Sequence, residues 1–128
     1  MAQLFSLGSM SAILQFLSRR LPKKFRSRSE ARSAWVSRYS DLEWSRVEHF
    51  LVLFCDAFLL QRAGVPHLYP DDKPMEIYRE IFRFWPVDDC QFEHLQQALA
   101  REYRLEIPPT DFEHLTLGDL YERVRYAA

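Results

Sequence analysis

Glycine is scarce in this chain, three residues in 128, and no stretch alternates apolar and polar side chains for long enough to make a convincing strand. With Leu, Arg, Glu and Ala in good supply, that scarcity points away from a sheet and toward helices. Cysteine is scarcer still. Cys55 and Cys90 show no motif spacing and make no secreted disulfide framework, so a reducing, cytoplasmic compartment is expected. Serine stops at Ser45, which leaves Thr110 and Thr116 as the only aliphatic hydroxyls in the rest of the chain. No apolar run reaches the length of a membrane-crossing helix, and the longest candidate stripe carries Glu48 and Asp56. Repeats are absent as well. What is present, 48% hydrophobic and 15% aromatic residues, is enough to bury one core but not two. The expectation is a basic amphipathic arm over residues 1–40 and one helical domain over residues 41–128.

Within that domain the helical period recurs. Ser40-Asp41-Leu42-Glu43 has the pattern of a capping box, and Val47, Phe50, Leu51, Phe54 and Phe58, flanked by Leu53 and Leu60, give a broad apolar stripe through Gln61. Gly64 and Pro66 are placed to end this helix, Gly64 as a C-terminal cap. After a turn-rich connection, Ile77, Tyr78, Ile81 and Phe82 predict a second amphipathic helix over 75–84. A third follows, with Phe92, Leu95, Leu99 and Tyr103 on one face and Ala98 beside them. Asp88 and Asp89 are its cap candidates, Gln91 is the reciprocal partner, and Ile107-Pro108-Pro109 is the stop. Thr110 with Glu113, and Thr116 with Asp119, each open a further short run. Phe112 and Leu115 face inward from the first, and Leu120, Tyr121 and Val124 from the second, with Leu117 packing the turn.

The segment Asp88 to Val124 resembles the second half of an acyl carrier protein. Leu95-Gln96-Gln97-Ala98-Leu99, Glu102-Tyr103, Glu106-Ile107-Pro108 and Thr116-Leu117 fall at that family's separations without a gap, over about a quarter of the chain. The resemblance implies a small helical bundle whose second helix docks partner enzymes. In the same register Asp89 stands where a carrier has the serine that receives phosphopantetheine, and Cys90 stands in place of the following leucine. A carboxylate cannot form that phosphodiester, so no cofactor is expected. The likeness weakens upstream of Trp85, where carriers have a long loop and this chain has the pattern of a helix.

Charge divides the molecule in two. Residues 1–29 hold Arg19, Arg20, Lys23, Lys24, Arg26 and Arg28 and no acid, for +6; the other 11 basic and all 18 acidic side chains leave −7 on residues 30–128. Apolar residues between Leu4 and Leu17 precede the cations. At ~1.5 Å per residue their ~21 Å falls short of a ~30 Å hydrocarbon layer, and the order of charge and apolar run is the reverse of a secretory signal. Three readings of the arm stay open: a solvated charged tail, an organelle transit segment, and reversible attachment to an anionic membrane surface through those six cations. Nucleic acid is the weaker partner, because the acidic remainder repels phosphate and no basic, aromatic-lined groove is evident.

Candidate chemistry is thin. Asp71-Asp72 and Asp88-Asp89 could hold a hard cation if loops converged, yet adjacent acids before helices more often cap them. His49, His67, His94 and His114 lack zinc spacing. Cys90 and His94 are helix neighbours without an orienting third group or an oxyanion hole. Trp35, Trp44 and Trp85 suit a core or an interface. The reading is therefore a non-enzymatic protein-interaction module without metal or cofactor. Its partner surface comprises Asp88, Asp89, Cys90, Gln91, His94, Gln97 and Arg101, a mostly neutral face where carriers are acidic. The alternative is a small helical regulator or immunity-type protein whose acidic body covers a basic partner.

Overall fold

A computed structural model of the chain describes residues 18–127. The predicted apolar helix from Leu4 to Leu17 lies outside them. The described residues form an all-α bundle: α1 (Lys23–Arg26), α2 (Arg32–Tyr39), α3 (Trp44–Ala57), α4 (Pro74–Phe84), α5 (Gln91–Tyr103) and α6 (Leu117–Ala127), with 3-10 turns at Asp41–Glu43, Arg62–His67 and Pro109–Glu113. None of these helices is long and apolar enough to cross a membrane.

The central element is α3. Val47, Phe50, Leu51, Phe54 and Cys55 are buried along it, as the apolar stripe requires, and α2, α5 and the Arg62–His67 turn pack against it. Burying each large apolar side chain stabilises the fold by about 1.5–3 kcal/mol. One aromatic cluster lies under α2 and α6, where Tyr121 meets Tyr39 at 5.0 Å, Phe50 at 5.8 Å and Trp35 at 6.1 Å between ring centroids. A second joins α3 to α5 through Phe58 and Phe92, 5.2 Å apart and edge to face, and continues to Phe112 at 5.3 Å. The polar handles in the first cluster are satisfied. Trp35 Nε1 donates to Leu68 O at 2.8 Å, Tyr39 Oη to Gly118 O at 3.2 Å and Tyr121 Oη to Glu43 Oε1 at 3.0 Å.

The basic segment belongs to this core from Leu21 onward. Leu21, Phe25, Ala31, Trp35 and Tyr39 are buried in the same cluster as α3 and α6, so packing is continuous across residue 40, the expected boundary between arm and domain. Backbone bonds tie the segment down: Arg19 N donates to Leu59 O at 2.9 Å, Gln61 N to Arg19 O at 2.7 Å, and Ala31 N to Pro66 O at 2.7 Å.

Several helix ends differ from the sequence reading. Gly64 does not cap α3; Leu59, at φ 56°, is the left-handed residue after it, and Gly64 sits in the following 3-10 turn. There a Cβ at position 64 would lie 3.0 Å from Leu21 Cβ, so this glycine serves close approach of two segments. Arg104, at φ 53°, ends α5 before the prolines, with Leu105 N donating to Leu99 O at 3.2 Å. Ser40 forms no capping box. Its φ of 84° and ψ of 158° turn the chain between α2 and the Asp41–Glu43 turn, and no side chain caps α3. Thr110 gives no cap hydrogen bond either, whereas Thr116 and Asp119 form the reciprocal pair, both bonds at 3.0 Å, at the mouth of α6. Leu117, Leu120, Tyr121 and Val124 are buried as the pattern requires.

Candidate functional site

The start of α5 is built differently from a capped helix. Asp88 Oδ1 accepts from Cys90 N at 2.9 Å, closing a local turn, and Cys90 takes a left-handed conformation at φ 60°. Neither Asp88 nor Asp89 caps α5 with its side chain. Asp89 is instead paired with Arg19, Oδ2 to Nη1 at 2.8 Å, and the Arg19 guanidinium lies 4.6 Å from the centre of the Trp85 ring. The carboxylate at the position of the carrier serine is thus held by a cation from the N-terminal segment. Gln91, expected on the partner surface, is 1% exposed, and its Oε1 has no hydrogen-bond partner among the described residues. Gln91, following the left-handed Cys90, therefore lies in the interior and not on the exposed face that carries His94, Gln97 and Arg101.

The other predicted surface residues divide into two sets. His94, Gln97 and Arg101 are exposed on α5 and line one side of a groove of about 570 Å³, with His49, Asp56 and Arg62 among the residues opposite, on α3 and just after it. On the α3 side Asp56 and Arg62 are joined at 2.8 Å, and His49 Nε2 lies 3.0 Å from Glu102 Oε1 across the groove. Asp88 and Cys90 are exposed beside an apolar run in which Phe84 is 73%, Trp85 48% and Val87 54% solvent-accessible. The run and the groove are connected by Arg19, which touches Trp85 and bonds the backbone of Leu59, a groove residue.

Both thiols are held toward the protonated form. Burial pushes Cys55 up to about 12, and Cys90 is raised by local desolvation and by Glu93, Asp88 and Asp89 around it. Asp71 and Asp72 are not caps: Lys73 occupies the N-cap position of α4, Asp71 pairs with Arg38 at 3.2 Å, and Asp72 is buried under Arg28. Among the described residues no group of three His, Cys, Asp or Glu side chains is placed to hold a metal ion.

The six cations of the predicted membrane set also separate. Arg28 donates to Asp72 Oδ1 at 2.9 Å, Asp72 Oδ2 at 2.6 Å and His67 O at 2.8 Å while stacking on Tyr69, 4.4 Å from the ring centre. Its neighbour Asp72 raises its pKa above the usual range against the effect of burial. Arg28 is a structural clamp, and Arg19 is committed to Asp89 and Trp85; neither faces outward as a free surface charge. Arg20, Lys23 and Lys24 are exposed, and Arg26 is half-buried. Sequence reasoning missed His49, Asp56 and Arg62 as groove residues; nothing in their spacing relates them to α5. Comparison with family models, with curated proteins and with solved structures returns no match.

Proposed function

We propose that this chain is a non-enzymatic interaction module, a carrier-like helical bundle without the prosthetic-group serine, that docks a protein partner along the outward face of α5. The observation that carries this reading is the α3–α5 groove, which brings His94, Gln97 and Arg101 to one wall beside the exposed Phe84-Trp85-Val87 run. Element order from α5 onward supports the resemblance: the helix α5 opening next to Asp89, a short 3-10 turn at Pro109–Glu113 and the capped helix α6 follow in the sequence a carrier has, whereas α4 stands where a carrier has a loop. Where a carrier bears its arm, this chain has a carboxylate neutralised by Arg19. Contact is then the working principle, and a rim whose charges balance, Asp56 and Glu102 against Arg62 and Arg101, suits a partner of mixed charge rather than the basic enzymes that recognise acidic carriers.

The test is capture of a partner by the tagged full chain from its native source, repeated with Gln97→Glu combined with Arg101→Glu, and with Arg79→Glu on α4 as a control. Loss of the same protein from the α5 variant alone supports the reading. Equal loss from both, or retention by both, contradicts it.

A further inference from the structure

Two of the cations in the N-terminal segment are neutralised by carboxylates, and three others line a single pocket that no carboxylate lines. Arg20, Lys23 and Arg26 border a cavity of about 310 Å³ between α1 and the Arg62–His67 turn, together with Ser27, Gln61 and His67. None of these three cations makes an ion pair with a described residue, whereas Arg19 and Arg28 are paired with Asp89 and Asp72. We propose that this pocket is a binding site for a phosphate monoester group.

Part of its wall is held by bonds within the fold, while Arg20 and Lys23 are exposed. Leu21 and Gly64 meet in its lining, where a Cβ at position 64 would lie 3.0 Å from Leu21 Cβ. Gln61 is held by the Arg19 backbone at 2.7 Å. Arg26 Nη1 donates to Leu21 O at 3.1 Å, which orients the guanidinium and leaves the rest of its donor fork for an anion. His67 Nδ1 lies 2.9 Å from Arg28 O, a carbonyl that can only accept, so Nδ1 carries a proton and Nε2 is the ring nitrogen available to the pocket. Point charges, a planar fork and a hydroxyl suit a compact, highly charged tetrahedral oxyanion better than a single carboxylate. The volume is at the small end of ligand sites, room for a phosphate with a short ester. The groove on α5 shares no lining residue with it, so the two sites fail or stand independently.

The phosphate could belong to a lipid headgroup or to a soluble metabolite, and the test separates these. The full chain, labelled with nitrogen-15, is titrated with inorganic phosphate and then glycerol 3-phosphate at low and high salt. The amides of Ser27, Ala63 and Gly64 should shift saturably, more weakly at high salt, with affinity reduced roughly tenfold by Arg20→Gln or Arg26→Gln and unchanged by Lys24→Gln, whose residue lies outside the pocket. Vesicles of phosphatidic acid and of phosphatidylserine at equal surface charge give the second arm. Preference for phosphatidic acid that disappears in the Arg20→Gln, Arg26→Gln double variant assigns the site to a lipid. Equal binding to both vesicles, with saturable binding of glycerol 3-phosphate, assigns it to a soluble ester. Absence of a saturable response to either phosphate, or equal weakening by Lys24→Gln, overturns the proposal.

Discussion

Tryptophan occupies two opposite situations in this molecule. Trp35 is buried on α2, stacked near Tyr39 and edge to face with Tyr121, its indole nitrogen bonded to Leu68 O, whereas Trp85 lies in an exposed apolar run at the end of α4 with an arginine on its face. Local hydrophobicity does not distinguish them. What does is the neighbourhood: the inner face of α2 meets α3 and α6, while Phe84 ends α4 and Trp85 and Val87 follow it, all three exposed among the described residues. The first arrangement is what a core needs, and the second leaves apolar area for something outside the described chain.

The comparison yields graded expectations. Trp35→Ala should cost about 3–5 kcal/mol, a large share of the 5–15 kcal/mol typical of a domain, and chemical denaturation should show a chain near its folding limit. Alkali should strike the same region next. Tyr121 is pushed up to about 12 by burial first and by its bond to Glu43 second, and Cys55 up to about 12 by burial. Both groups hold their protons more tightly folded than unfolded, so stability is complete below about pH 9 and falls as pH rises toward about 12. Urea midpoints measured across that window check the sign; a flat profile would place both groups in solvent. Asp72→Asn removes a charge that Arg28 contacts twice. Because Arg28 is one-third exposed, the expected loss is about 2 kcal/mol, less than for a fully buried pair. Thr116→Ala should lower stability by about 1 kcal/mol through loss of the cap at α6. Trp85→Ala closes the series: thermal denaturation should move by no more than about 0.5 kcal/mol, and partner capture should weaken. A large destabilisation by Trp85→Ala would make the exposed run part of the core and remove the contrast.

How much of this was legible beforehand follows from the range of the interactions. The stripe on α3, the apolar face of α5, the helix expected over 75–84, which forms as Pro74–Phe84, and the Thr116–Asp119 box depend on neighbours within a turn or two, and all are in place. Helix ends were misread because the left-handed positions are Leu59, Cys90 and Arg104, residue types that give no sign of that conformation. Gln91 went the same way: a left-handed turn one residue earlier reverses which face it occupies. The pairs Arg19–Asp89 and Arg28–Asp72 join residues 70 and 44 positions apart, beyond any local pattern. They are the reason that a run of six cations is not one surface. A signal for the buried half of that segment was present, since Ala31, Trp35 and Tyr39 recur at steps of four.

The central claim, a carrier-like bundle whose arm cannot be attached, meets its most direct test in an intact-mass measurement. The full chain and its Asp89→Ser variant are incubated side by side with a broad-specificity phosphopantetheinyl transferase and coenzyme A. The account predicts an unchanged mass for the natural chain and a phosphopantetheine adduct on the variant. An adduct on the natural chain would contradict the proposed role, and an unmodified variant would contradict the carrier likeness on which it rests.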